Sequence, residues 1–286
     1  MSVVGDAGRT PEVLWSPTAE VRQRARITDY LRWLATESNR SFDGYEALRQ
    51  WSVEDLEGFW SSIWSYMGVI SHTPAERVLT DHSMPGATWF PGATLNYAEN
   101  ALARLADGTA VVSVSQTRDT VELTGSELKS LVARARAGLV GLGVAKGDRV
   151  VAYLPNIAET VVAFLATASL GAIWSSCPPE FGRRGVIDRF AQVEPTVLLT
   201  VDGYRHRGRE VDRLDDVAAI RDALPTLRAT VLIPYLSPGG RAVPGAITWD
   251  ELLALPAEPA FEPVPFAHPL YVLYSSGTTG LPKPIV

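Results

Sequence analysis

Residues 274–284 read Tyr-Ser-Ser-Gly-Thr-Thr-Gly-Leu-Pro-Lys-Pro. Four hydroxyls (Ser275, Ser276, Thr278, Thr279), two glycines (Gly277, Gly280) and Lys283 fall close together. That mixture suits a loop that holds phosphate. Hydroxyls and backbone N–H groups donate to phosphate oxygens, glycine lets the backbone approach closely, and lysine adds a positive charge. The spacing excludes a Walker loop, because Lys283 lies three residues beyond Gly280 and precedes Pro284. It also lacks the Gly-x-Gly-x-x-Gly pattern of dinucleotide sites. An ordinary polar surface turn is the plainer alternative.

A second cationic stretch is Tyr204-Arg205-His206-Arg207-Gly208-Arg209. Arginine pairs bidentately with phosphate oxygens, so Arg205, Arg207 and Arg209 are candidates for a phosphate-bearing ligand. A solvated charged loop explains them equally well. The other titratable groups suggest no chemistry. His72, His82 and His268 are isolated, without the paired spacing a metal site needs. Cys177 has no evident activating partner. No catalytic residue and no metal ligand is assigned.

The elements that must position these residues change character along the chain. Residues 1–105 are rich in tryptophan and helix signals. Ser16-Pro17 reads as an N-cap followed by proline at the first helical position, predicting a helix to about Thr36. Ser52–Asp55 resembles a capping box. Behind it Val53, Leu56, Phe59, Trp60, Ile63, Trp64 and Met67 recur at helical spacing, with Gly68 as a stop. This aromatic stripe is read as core packing.

Residues 106–286 alternate strand and helix. Strands are expected at 110–115, 120–123, 148–154, 172–176, 197–201, 230–234 and 271–274. Helices are expected at 124–143, 157–170, 185–193 and 212–223, the first opened by a capping box at Thr124–Glu127. Such alternation predicts an α/β domain, a parallel sheet covered by helices. The five prolines of 255–269 predict an extended connection into the last strand. That strand delivers the phosphate loop.

Composition sets the bounds. Apolar residues make up 46% and charged residues 20% of the 286, ordinary for a globular protein. No apolar run is long enough to span a bilayer, and no secretory signal is visible at the N-terminus. The single cysteine suits a reducing cytosol, so a cytoplasmic location is expected. A net charge of −6 gives no general attraction to nucleic acid or membrane, and neither is expected as a partner. Of the 26 basic residues only Lys129, Lys146 and Lys283 are lysine. One of the three stands in the phosphate loop.

The run from Tyr274 to Lys283 resembles the signature loop of the acyl-adenylate-forming, AMP-dependent synthetases. The resemblance extends to Leu14-Trp15-Ser16-Pro17, Trp51-Ser52-Val53, Phe59-Trp60, Trp89-Phe90-Pro91-Gly92-Ala93 and Leu95-Asn96-Tyr97-Ala98-Glu99-Asn100. Within the family, Ile173–Ser176, Glu180-Phe181-Gly182, Gly185–Phe190 and Phe266-x-His268-Pro269-Leu270 resemble the acetoacetyl-CoA synthetase type rather than the acetyl-CoA type.

The resemblance implies an acid–thiol ligase using ATP, Mg²⁺ and CoA, with acetoacetate as the acid. A ligase for acetate, propionate or another short acid is the alternative. A non-catalytic remnant with weak nucleotide or CoA binding is a third possibility. It further implies that Ser275, Ser276, Gly277, Thr278, Thr279, Gly280 and Lys283 hold the ATP phosphates. Arg209 matches a position that holds CoA phosphates, Arg207 and Arg205 stand near it, and His206 departs from the arginine expected at its position. Glu180 is given no role.

In such enzymes the acyl pocket and the lysine-bearing C-terminal domain follow the loop. The fold implied here is therefore the incomplete sheet and helix layers of an N-terminal domain, preceded by a mainly helical segment. These 286 residues are expected not to complete the reaction alone. Their last strand is expected to leave an uncovered, aggregation-prone edge.

Overall fold

The computed structural model describes residues 12–237, 239, 243–275 and 280–286. Two compact units divide after Val69.

The first unit holds α1 (Ala19–Arg24), α2 (Arg26–Glu37), α3 (Tyr45–Glu54) and α4 (Leu56–Met67). The expected first helix is two. Thr18, not Ser16, caps α1 through its hydroxyl, and the chain turns extended at Ala25 before α2 begins. The expected capping box at Ser52 is also corrected. Ser52 lies inside α3 and donates to the Arg49 carbonyl, while Asp55 caps α4 by accepting from Gly58 N at 2.9 Å. Gly68 ends α4 in the left-handed region, as expected. The stripe, which begins at Val53 in α3 and continues along α4, is only partly core. Phe59 and Ile63 pack against Tyr30, Leu34, Leu48 and Trp51, whereas Val53, Trp60 and Met67 are exposed.

The second unit opens with β1 (Leu79–Asp81), β2 (Thr88–Trp89), β3 (Thr94–Leu95), α5 (Tyr97–Ala103), the antiparallel pair β4 (Thr109–Ser113) and β5 (Val121–Thr124), and α6 (Gly125–Gly141). The Thr124–Glu127 capping box forms as read. Asn96 explains why the short α5 holds its place. Fully buried, its carbonyl accepts from Ala98 N and Glu99 N, while its amide donates to Ala168 O at 2.9 Å and Glu262 O at 2.8 Å. One side chain thus caps α5 and ties it to two distant backbone segments.

Then come β6 (Arg149–Tyr153), α7 (Ala158–Ser169), β7 (Ile173–Cys177), α8 (Arg183–Phe190), β8 (Val197–Val201), β9 (Gly203–His206), β10 (Arg209–Asp212), α9 (Leu214–Asp222) and β11 (Ala229–Ile233). The chain continues through β12 (Ile247–Thr248), α10 (Trp249–Leu252), β13 (Val264–Pro265), β14 (Leu273–Ser275) and β15 (Lys283–Ile285).

The central sheet is parallel, in the order β12-β11-β8-β6-β7. Alternate residues of each strand face opposite layers, as the two-residue period demands. Val150, Ala152, Leu199 and Ile233 meet α5, α6, α7 and α10; Val151, Tyr153, Leu198 and Leu232 meet α8 and α9. The helix after β6 therefore covers one face and the helix after the neighbouring β8 covers the other. In such sheets the carboxyl ends of the strands beside this reversal are the usual place for a ligand.

Candidate phosphate-binding site

The approach to the loop extends the sheet. Trp174 N donates to Leu270 O at 3.1 Å, Val272 N donates to Trp174 O at 2.7 Å, and Ser175 Oγ donates to Val272 O at 2.8 Å. Trp174 and Tyr271 form a parallel bridge, so the chain travels alongside β7 and reaches the loop at the sheet's carboxyl end. There β14 and β15 pair antiparallel, with Leu273 opposite Ile285, Tyr274 opposite Pro284 and Ser275 opposite Lys283. The last pair of this ladder joins a hydroxyl to an exposed lysine. Ser276, Gly277, Thr278 and Thr279 lie outside the described residues. Gly280 has φ +88°, and no described residue lies within 4 Å of where its Cβ would stand. Its backbone conformation by itself favours glycine.

Beneath the hairpin, Tyr274 OH donates to the Arg189 carbonyl at 2.6 Å. The Arg189 guanidinium lies over the rings of Phe181 (4.8 Å) and Tyr274 (5.8 Å) and donates to Gly185 O at 2.7 Å. Burial pushes the Tyr274 phenol up to about 12. Burial likewise raises the Cys177 thiol to about 11, against the opposing charge of Arg189. Both groups are neutral near pH 7, so the thiol is a poor nucleophile, as its sequence context suggested. Tyr153, also raised to about 12 by burial, donates toward Pro179 O (2.9 Å) and Phe181 O (2.7 Å) and holds the segment after β7.

The cationic stretch at 204–209 is not an open loop. It is the β9/β10 hairpin, which grows from the carboxyl end of β8. Arg207 (φ +49°) and Gly208 (φ +76°) form its two-residue turn, both in the left-handed region that tight hairpins use. Register then sorts the charges. Arg205 faces Glu210 and donates to it at 2.9 Å. Arg209 faces His206 on the other side of the ribbon, the side on which Tyr204 and Val211 face each other. Among the described residues neither Arg207 nor Arg209 makes an ion pair, so these two keep an unspent charge. At the hairpin's root, the buried Asp202 carboxylate accepts from the N–H groups of Tyr235, Leu236 and Ser237 at 2.7–2.9 Å. This locks the ends of β8 and β11 together.

The remaining sequence candidates have structural explanations or none. His268 Nε2 donates to Gly171 O at 2.7 Å, and His72 pairs with Glu99 at 2.8 Å. Glu180 is exposed. Among the described residues no three His, Cys, Asp or Glu side chains gather as a metal set, and no helix is long and apolar enough to cross a membrane. Sequence reasoning passed over Glu210 and Arg189. Glu210 was discoverable, since a two-residue turn at Arg207-Gly208 would pair it with Arg205. Arg189 carried no such signal, because its partner Tyr274 is 85 positions away.

Residues 98–286, well over half the chain, match the family model described as AMP-binding enzyme. The chain belongs to the AMP-binding enzyme family. A second model, acetyl-coenzyme A synthetase N-terminus, matches residues 45–101. Among curated relatives, the acetoacetyl-coenzyme A synthetase of Rhizobium meliloti (strain 1021) is 39% identical over 278 residues, covering 96% of this chain and 42% of that one. The malonamoyl-CoA synthetase of Penicillium aethiopicum is 33% identical over 305 residues, covering 98% and 42%. The solved acetoacetyl-CoA synthetase from Streptomyces lividans superposes with a TM-score of 0.90 at 52% identity, covering 96% of this chain and 43% of that one. The chain thus spans less than half the length of these relatives. Both cationic hairpins of this AMP-binding enzyme fall inside the matched residues.

Proposed function

We propose that this chain carries the ATP phosphate loop of an acetoacetate–CoA ligase. A carboxylate oxygen of acetoacetate attacks the α-phosphorus of ATP and pyrophosphate leaves. The CoA thiolate then attacks the acyl carbon of the adenylate and AMP leaves. The physical difficulty is the approach of two anions, so groups aimed at developing phosphate charge supply the rate. Ser275, Ser276, Gly277, Thr278, Thr279 and Gly280 offer hydroxyl and backbone donors, and Lys283 offers charge from the strand just beyond the turn. Arg209 and Arg207 are the CoA-phosphate groups, with Arg205 weakest because Glu210 already engages it. Mg²⁺ accompanies ATP; no carboxylate set for it stands among the described residues, and no step is assigned to it. The single cysteine, buried and neutral, is compatible with a reducing cytoplasm.

The observation that carries the reading is the Tyr274–Lys283 run on a hairpin at the carboxyl end of a parallel sheet, in a chain 52% identical to a solved acetoacetyl-CoA synthetase. The test is ATP–pyrophosphate exchange dependent on added acid, in a protein that carries these residues at the full length of its relatives, as in every kinetic comparison below. Acetoacetate is expected to exceed acetate and propionate by roughly 10-fold or more, the least that one missing substrate group costs in a fitted pocket. A second reading, a ligase for another short acid with a carbonyl at the same position, is favoured by the similarity to a malonamoyl-CoA synthetase. Exchange faster with malonamate than with acetoacetate would select it. Nucleotide binding without exchange for any acid would select the non-catalytic reading.

A further inference from the structure

The phosphate loop stands between two three-residue stems, whose pairing with each other sets their separation but not how the pair is seated on the molecule. Both are tied to the same place, the C-terminal end of α8. On the incoming stem, Tyr274 OH donates to Arg189 O at 2.6 Å. On the outgoing side, Gln192 Nε2 donates to Pro282 O at 3.1 Å. The same amide nitrogen donates to Asp188 O at 2.7 Å, in the last turn of α8, where carbonyls lack helical partners. Both partners of that nitrogen are carbonyl oxygens, so the amide orientation is settled by chemistry: only NH₂ satisfies them, with one proton each.

The anchor is rigid. Val186 and Phe190 of α8 are fully buried against the sheet together with Tyr153 and Cys177. The peptide between Pro282 and Lys283 carries the Pro282 carbonyl and the Lys283 N–H, and the Gln192 amide holds the first of these. Holding that carbonyl fixes the plane of the peptide that opens β15, and so the direction in which Lys283 leaves the backbone.

We propose that Gln192 is a positioning residue of the phosphate loop. With the Tyr274–Arg189 bond it forms a two-point clamp from α8 that seats the loop's paired stems on the helix and sets the aim of Lys283. The inference rests on the phosphate-loop reading above.

Gln192→Glu tests it. The side chain keeps its shape and loses both donors, and because the residue is exposed the fold is expected to survive. Two readouts separate the outcomes. First, deuterium exchange of the Lys283 and Ile285 amides in the ligand-free protein should quicken by about 3- to 10-fold, the factor that one net hydrogen bond represents. The β6 amides serve as the unchanged internal control. Second, the KM for ATP in acid-dependent pyrophosphate exchange should rise by a similar factor while the KM for the acid stays put. Gln192→Arg, which restores donors with adequate reach, should recover most of both effects. Unchanged amide exchange in Gln192→Glu overturns the clamp whatever the activity. Faster amide exchange with an unchanged KM for ATP overturns the role in aiming Lys283. A wild-type protein that shows no exchange with any acid overturns the ligase reading beneath it, and the amide measurement still decides the clamp.

Discussion

Two hairpins stand at the carboxyl side of one parallel sheet, and both present positive charge. In β14/β15 the charge sits beside the turn, on Lys283 opposite Ser275. In β9/β10 it is spread over Arg205, Arg207 and Arg209, and cross-strand register divides it. Glu210 engages Arg205, Arg207 occupies the turn, and Arg209 stands opposite a histidine. A contiguous motif keeps its meaning when folded because its neighbours in sequence remain its neighbours in space. A count of arginines does not, because a strand pair sends alternate residues to opposite sides.

Breaking the first hairpin should have the largest effect. Lys283→Ala should slow acid-dependent pyrophosphate exchange by about 10²- to 10³-fold, the usual loss when a donor to developing charge is removed. Its melting temperature should stay unchanged, since Lys283 is exposed. A loss below threefold in steady-state kinetics would detach this lysine from the phosphates.

The second hairpin should respond less, and unevenly. Arg209→Ala is expected to raise the KM for CoA by about 3- to 10-fold, the value of one exposed charge-assisted contact, while Arg205→Ala changes it less than about 2-fold. Equal effects would mean that the observed register does not sort the charges. Glu210→Ala sharpens the point by reversing the sign. Releasing Arg205 and removing a nearby negative charge should lower the KM for CoA by about 2-fold, an effect that high salt erases.

The smallest difference concerns pH. Tyr274, under the first hairpin, has its phenol raised by burial from 10.0 to about 12. The neutral form is the one the fold stabilises. Its contribution is therefore complete below pH 10 and lost as pH rises toward 12. Urea denaturation from pH 9 to 12 should show stability falling across that window, with a shallower fall in Tyr274→Phe and no difference in slope near neutrality. An equal slope in both proteins would show that this phenol meets water in the folded state.

Much of the sheet was readable in advance. β6, α7, β8 and β11 fall within a residue or two of their expected places because continuous apolar runs bounded by turns have few other uses. The Thr124–Glu127 box held because its donors and acceptors are three residues apart. The N-terminal helices were less legible. Both Ser16 and Thr18 can cap, and the break at Ala25 has no glycine or proline to announce it. The aromatic stripe on α4 was read as core, yet Trp60 and Met67 are exposed. Periodicity says that a face is apolar, not how much of it another element covers.

The same division runs through the site. Residue types in order were enough to name a phosphate loop, because hydroxyl, glycine and lysine chemistry is local. Tertiary structure alone decided that Tyr274 and Pro282 are bound to one end of α8, while the register of one local hairpin decided that Glu210 engages Arg205 and not Arg207 or Arg209. Those facts depend on strand register and on contacts between residues 85 and 90 positions apart. No local pattern encodes such distances. They are set when the helices close over the two faces of the sheet and bring its carboxyl ends together.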